Sequence, residues 1–166
     1  MSLTEMDAVP GRIRYIWERM YTWVDTIMDT YEYETYEIHG DDFDITKTRN
    51  YPLVTISIDD STHRDETYNR DVESADGVMV YYPFTMYVWD YHTELAGFPK
   101  YHDIHILGDR VTKYLKSIKF DTTEKDTHKI YGVYGIDSVE SQPRGVRKVG
   151  RIIITGRIRA KRLDVV

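Results

Sequence analysis

Four residues of the segment YHDIHILGD (His102, Asp103, His105 and Asp109) are of types that bind divalent metals, and imidazole with carboxylate is a donor set suited to zinc or manganese. On a helix, His102 and His105 stand at i, i+3 and His105 and Asp109 at i, i+4, so the spacing brings them to one side. A metal-dependent hydrolase built on His102, His105 and Asp109 is the enzymatic expectation this pattern permits. The same residues also suit a helix start, where Asp caps the first amide groups, and short matches of this kind arise readily by chance. The structural reading is preferred, so neither metal nor cofactor is expected. The pairs Asp41–Asp42 and Asp59–Asp60 could share a proton or hold a cation. Both fall in expected turns, where Asp is the ordinary residue. There is no Gly-rich phosphate loop after a strand and no nucleophile elbow, and the chain has no cysteine, so no catalytic residues are expected.

Charge carries more information than these clusters. Residues 1–109 hold 22 acids against 8 Lys and Arg, and residues 110–166 hold 6 acids against 14 bases, so a net charge of −6 conceals halves of −14 and +8. Segregated charge repels itself unless a complementary surface lies nearby, in the fold or on a partner. The basic half concentrates in Arg144, Arg147, Lys148, Arg151, Arg157, Arg159 and Lys161. The acidic half includes Asp59, Asp60, Asp65 and Glu66. These residues are the expected oligomer or partner interface. Nucleic-acid binding by the basic stripe is an alternative, since Lys and Arg neutralise phosphates. The aromatic platforms that would assist it lie mainly in the acidic half, and no RNP-like or helix-turn-helix pattern is present. Tyrosine is abundant, 15 in 166 residues, which suits half-exposed sheets and interfaces.

The elements that must position these groups follow from periodicity. Ile13, Ile16, Trp17, Met20, Trp23, Val24, Ile27 and Met28 recur at helical spacing, with Thr4 or Asp7 as cap and Pro10 near the start. YEYETYEIHG reads as a short exposed strand and YPLVTISIDD as a stronger one, with Val54, Ile56 and Ile58 on one face and Leu53, Thr55 and Ser57 on the other. A polar loop over 59–77 follows. In VMVYYPFTMYVWDYH, Phe84, Met86 and Val88 alternate with Thr85, Tyr87, Trp89 and Tyr91, and Pro83 predicts a bulge or an edge position. A second helix fits 102–118, with Ile104, Leu107, Val111, Leu115 and Ile118 apolar and Lys113, Lys116 and Lys119 opposite. Residues 128–162 read as a C-terminal hairpin whose last strand turns Ile152, Ile154, Ile158 and Ala160 inward and its basic residues outward. The expected fold is one α+β domain spanning 1–166: a single antiparallel sheet packed by two helices on one face, with a long hairpin or loop extension. The start, MSLTEMDAVPGRIR, lacks a basic n-region and an apolar h-region, and no 18-residue apolar run occurs, so neither secretion nor membrane association is expected.

This order resembles a known family. The amphipathic first helix, the Pro-hydrophobic strand opening in YPLVTISIDD, the polar loop, the aromatic strand VYYPFTMYVWDY, the helix closing in VTKYLKSI and the final hairpin together resemble tail terminator or tail completion proteins of tailed phages and archaeal tailed viruses. The resemblance spans nearly the whole chain and is one of architecture. It implies a non-enzymatic α+β protein forming a ring, a hexamer in that family, that caps the tail tube and joins it to the head connector. It also implies a virion location after assembly in the host cytoplasm, with genomic DNA passing through the lumen without sequence-specific binding. A head-completion or neck protein of the same virion region is the nearest alternative.

Overall fold

A computed structural model of the chain describes residues 3–40, 50–59, 79–91, 103–120, 129–141 and 149–161. The elements are α1 (Leu3–Thr30), β1 (Glu37–His39), β2 (Leu53–Ile58), β3 (Met79–Tyr91), α2 (Ile104–Ser117), β4 (Ile130–Ser141) and β5 (Val149–Lys161). The strands form one five-stranded sheet in the order β1-β2-β3-β5-β4. The fold is therefore α+β with a single sheet and two helices.

Periodicity explains the helices. Ile16, Met20, Trp23, Val24, Ile27 and Met28 of α1 are buried, as are Ile104, Leu107, Val111 and Leu115 of α2. They share one core with Val54, Ile56, Tyr82, Phe84, Met86, Val88, Ile152, Ile154, Ile158 and Ala160, so both helices cover the same sheet face. Each fully buried large apolar side chain contributes about 1.5–3 kcal/mol of transfer free energy. Two glycines permit close approach within this core. A Cβ at Gly108 would stand 2.3 Å from Ile152 Cδ1, and one at Gly156 would stand 2.6 Å from Phe84 Cζ. α2 thus sits close to β5, and the Phe84 ring occupies the space beside Gly156.

Three expectations are corrected. The sheet is mixed, because β1 pairs with β2 in parallel while the other three pairings are antiparallel. A parallel neighbour needs a connection of about a dozen residues, and the chain between His39 and Leu53 is long enough to supply one. Helix α1 starts at Leu3 and contains Pro10, rather than beginning near it. Pro83 lies in a central strand, neither at an edge nor in a bulge. Its carbonyl accepts from the Asp59 amide at 2.8 Å, just beyond the end of β2, so the missing Pro83 N–H points where no strand partner requires a donor. The two bulges of the hairpin fall in β4, between Ile130 and Gly132 and between Tyr134 and Asp137. The polar loop over 59–77, apart from Asp59, lies outside the described residues.

Candidate interaction surfaces

The metal-like cluster separates on folding. Asp103 is buried and caps α2, its Oδ1 accepting from the amides of His105 at 2.7 Å and Ile106 at 3.4 Å. One or more of the four unpaired amides of a helix start is satisfied in this way. His105 and Asp109 are exposed on α2, and His105 Nε2 lies 3.6 Å from Glu140 on β4. His102 lies outside the described residues. Among the described residues no three His, Cys, Asp or Glu side chains form a group that would hold a metal.

The basic stripe stands on the sheet face opposite the helices. Antiparallel register sets Arg159 against Tyr81, Arg157 against Pro83 and Arg151 against Trp89. On the other side of β5, Tyr134 pairs with Arg157 and Ser141 with Arg151. The guanidinium of Arg157 lies 4.6 Å from the centre of the Tyr81 ring, that of Arg151 5.4 Å from Tyr87, and that of Arg159 5.9 Å from Tyr134. Arg151 also donates to Ser141 Oγ from Nε at 3.2 Å and Nη2 at 2.7 Å. Sequence reasoning placed the aromatic residues apart from the basic stripe, in the acidic half of the chain. Pairing of β3 with β5 brings the two sets into one layer.

This outward face is not uniform. Toward β2, Leu53, Trp89 and Val149 are buried beneath Tyr51, Tyr87 and Tyr91. Toward β4, Tyr134 is 41 % and Val139 57 % exposed, and Thr155 and Arg157 are exposed as well. Lys161 closes β5, and Asp59 is exposed after β2. Arg144, Arg147, Lys148, Asp60, Asp65 and Glu66 lie outside the described residues.

A second surface, which sequence reasoning did not single out, is acidic. From Met20 to Gly40 the chain has no Lys or Arg and carries Asp25, Asp29, Glu32, Glu34 and Glu37. An unbalanced run of this length is a signal visible in the sequence. α1 has no base in its last turn to complement its negative end. The helix stops where Glu32 adopts φ 57°, with the Tyr33 amide donating to the Met28 carbonyl at 3.0 Å. Asp29, Glu32 and Glu34 are exposed.

Two polar contacts hold this corner. Tyr36 Oη donates to Asp25 Oδ1, and this bond, with lesser burial, pushes the phenol up to about 12. Arg110 Nη1 donates to Tyr33 Oη at 3.0 Å, and the same guanidinium covers the Tyr31 ring at 3.7 Å. Tyr33 is buried, which raises its pKa, against a lowering by Arg110. Arg110 and Tyr31 also line an open groove of about 570 Å³ between α1 and α2.

The acidic corner and Arg157 and Arg159 of the basic stripe lie far apart. α1 lies closest to β2 and β1, whereas α2, with Lys113, Lys116 and Lys119 exposed on it or just after it, lies over β3, β4 and β5. Three strand spacings separate β1 from β5, roughly 14 Å. Along β3, from Pro83 opposite Arg157 to Asp90, whose charge acts on Tyr33, is roughly another 23 Å. Among the described residues, the acidic end of α1 and the arginines of β5 thus stand at opposite corners of the domain, while Arg110 packs against the acidic end. No helix among the described residues is long and apolar enough to cross a membrane. No protein-family model matches the chain, and no curated protein matches it.

Proposed function

We propose that this chain is a non-enzymatic structural protein of a tailed virion, a tail terminator that assembles as a ring, caps the tail tube and joins it to the head connector. The observation that carries this reading is the separation, among the described residues, of the exposed carboxylates at the end of α1 from the arginines on the outward sheet face. A closed ring is built from heterologous contacts, in which one surface of a protomer meets a different surface of the next. A domain with an acidic corner and a distant basic face has two such surfaces, and their attraction favours head-to-tail association over association of like surfaces. The order of elements supports the same reading through its resemblance to tail terminators. A head-completion or neck protein of the same region would share these features, and which component a ring of this chain seats on distinguishes the two.

Ring formation is the direct test. Purified chain at tens of micromolar is expected to show a closed ring in micrographs, with six copies of the 19.7 kDa chain giving about 118 kDa by light scattering. A strictly monomeric protein, with no rings even when tail tube protein is added, would sink the reading. Guanidinium groups over tyrosine rings on an open sheet face also favour a second function, single-stranded nucleic-acid binding. Salt-sensitive binding of a fluorescent oligonucleotide by a monomeric chain would establish that reading in place of the first.

A further inference from the structure

We infer that the β4–β5 quadrant of the outward sheet face, centred on Tyr81, Tyr134, Arg157 and Arg159, receives the acidic corner of the next copy, Asp29, Glu32 and Glu34. This inference rests on the ring reading and assigns its two contact surfaces. The quadrant has the composition of an interface centre, with Arg157 and Arg159 beside Tyr81 and Tyr134, the latter 41 % exposed. Its guanidinium groups are already held over rings at 4.6 Å and 5.9 Å, so less side-chain freedom is lost when a carboxylate arrives. Arg presents a fork of donors that carboxylates accept in pairs, which gives direction as well as attraction.

The occupant follows from charge. The acidic corner carries exposed carboxylates at a helix end whose dipole is also negative, so it gains from a cation. It cannot reach its own quadrant across the diagonal of the domain. Asp137, opposite Thr155 on the same face, repels carboxylates from the middle of the sheet and so favours seating beside Arg157 and Arg159. The partner that fits is a second copy of this chain.

Three variants test the pairing by sedimentation at low salt. The first carries Arg157→Glu and Thr155→Glu, both at exposed strand positions. The second carries Asp29→Lys, Glu32→Lys and Glu34→Lys, and the third combines all five changes. Each of the first two is expected to weaken assembly at least tenfold, and the third to recover most of it, because its acidic face meets a basic corner. Urea denaturation at a dilution and salt where sedimentation shows both proteins monomeric should give the Lys variant a midpoint close to that of wild type, which separates lost assembly from lost folding. If wild type forms rings and either single-surface variant assembles as wild type does, or if the combined variant stays dissociated, the pairing is wrong and the ring reading stands. If wild type forms no ring, both fall together.

Discussion

The two faces of the sheet are made from the same strands by residues one position apart. On the helix-covered face, Phe84, Met86, Val88, Ile154 and Ile158 are essentially inaccessible and apolar. On the outward face the intervening positions include Tyr81, Thr85, Tyr87, Arg151, Thr155, Arg157 and Arg159, beside the smaller apolar cluster of Leu53, Trp89 and Val149. The first face is what makes the chain fold, since apolar burial is the main favourable term in folding. The second is over-provided for a face that only meets water. A solvated face needs small polar residues and scattered charge, whereas this one aligns guanidinium groups with rings across three adjacent strands.

Substitutions can break this contrast in order of expected size. Phe84→Ala removes a ring from the core beside Gly156, and denaturation under conditions where sedimentation shows a monomer should show a loss of about 3–5 kcal/mol. Asp103→Ala removes the cap of α2, and the same measurement should show a loss of about 1 kcal/mol. Tyr36→Phe deletes the bond to Asp25 and should cost about 0.5–1.5 kcal/mol at neutral pH. The pKa of Tyr36 is raised in the folded chain, from 10.0 to about 12. Its contribution is therefore complete below pH 10 and disappears as pH rises from there through about 12. Wild type should lose stability across that window, and Tyr36→Phe should lose less. Smallest of all, Arg157→Ala should shift monomer stability by less than about 0.5 kcal/mol while weakening assembly. A large stability loss there would remove the distinction between the faces.

Much of this arrangement is legible in the sequence. The alternation in VYYPFTMYVWDY and VGRIIITGRIRAKR assigns each side chain to a face, and the helical spacing of Ile16 through Met28 and of Ile104 through Leu115 marks the stripes that cover one of them. The hairpin of β4 and β5 follows from its turn residues. Parity does not say which strands are neighbours, however. β5 lies between β4 and β3, so the tyrosines of β3 and the arginines of β5 meet through a pairing that spans some 70 residues of chain. β1 pairs through three residues, too few for periodicity to reveal its direction. Pro83 suggested an edge because the end of β2 beside it is a property of the assembled sheet. The acidic corner was visible as a run without Lys or Arg, but only the fold shows that it ends diagonally opposite the basic quadrant.

Under the proposed reading, complementary charge on separated surfaces assembles this chain into a ring. Sedimentation of wild-type protein at fixed concentration, with salt raised from about 0.05 M to about 0.5 M, tests it most directly, because screening shortens the reach of exposed charges over that range. A closed ring at low salt that dissociates toward the 19.7 kDa monomer as salt rises is the expected result. A monomer at every salt concentration, or a ring that tightens with salt, would contradict it.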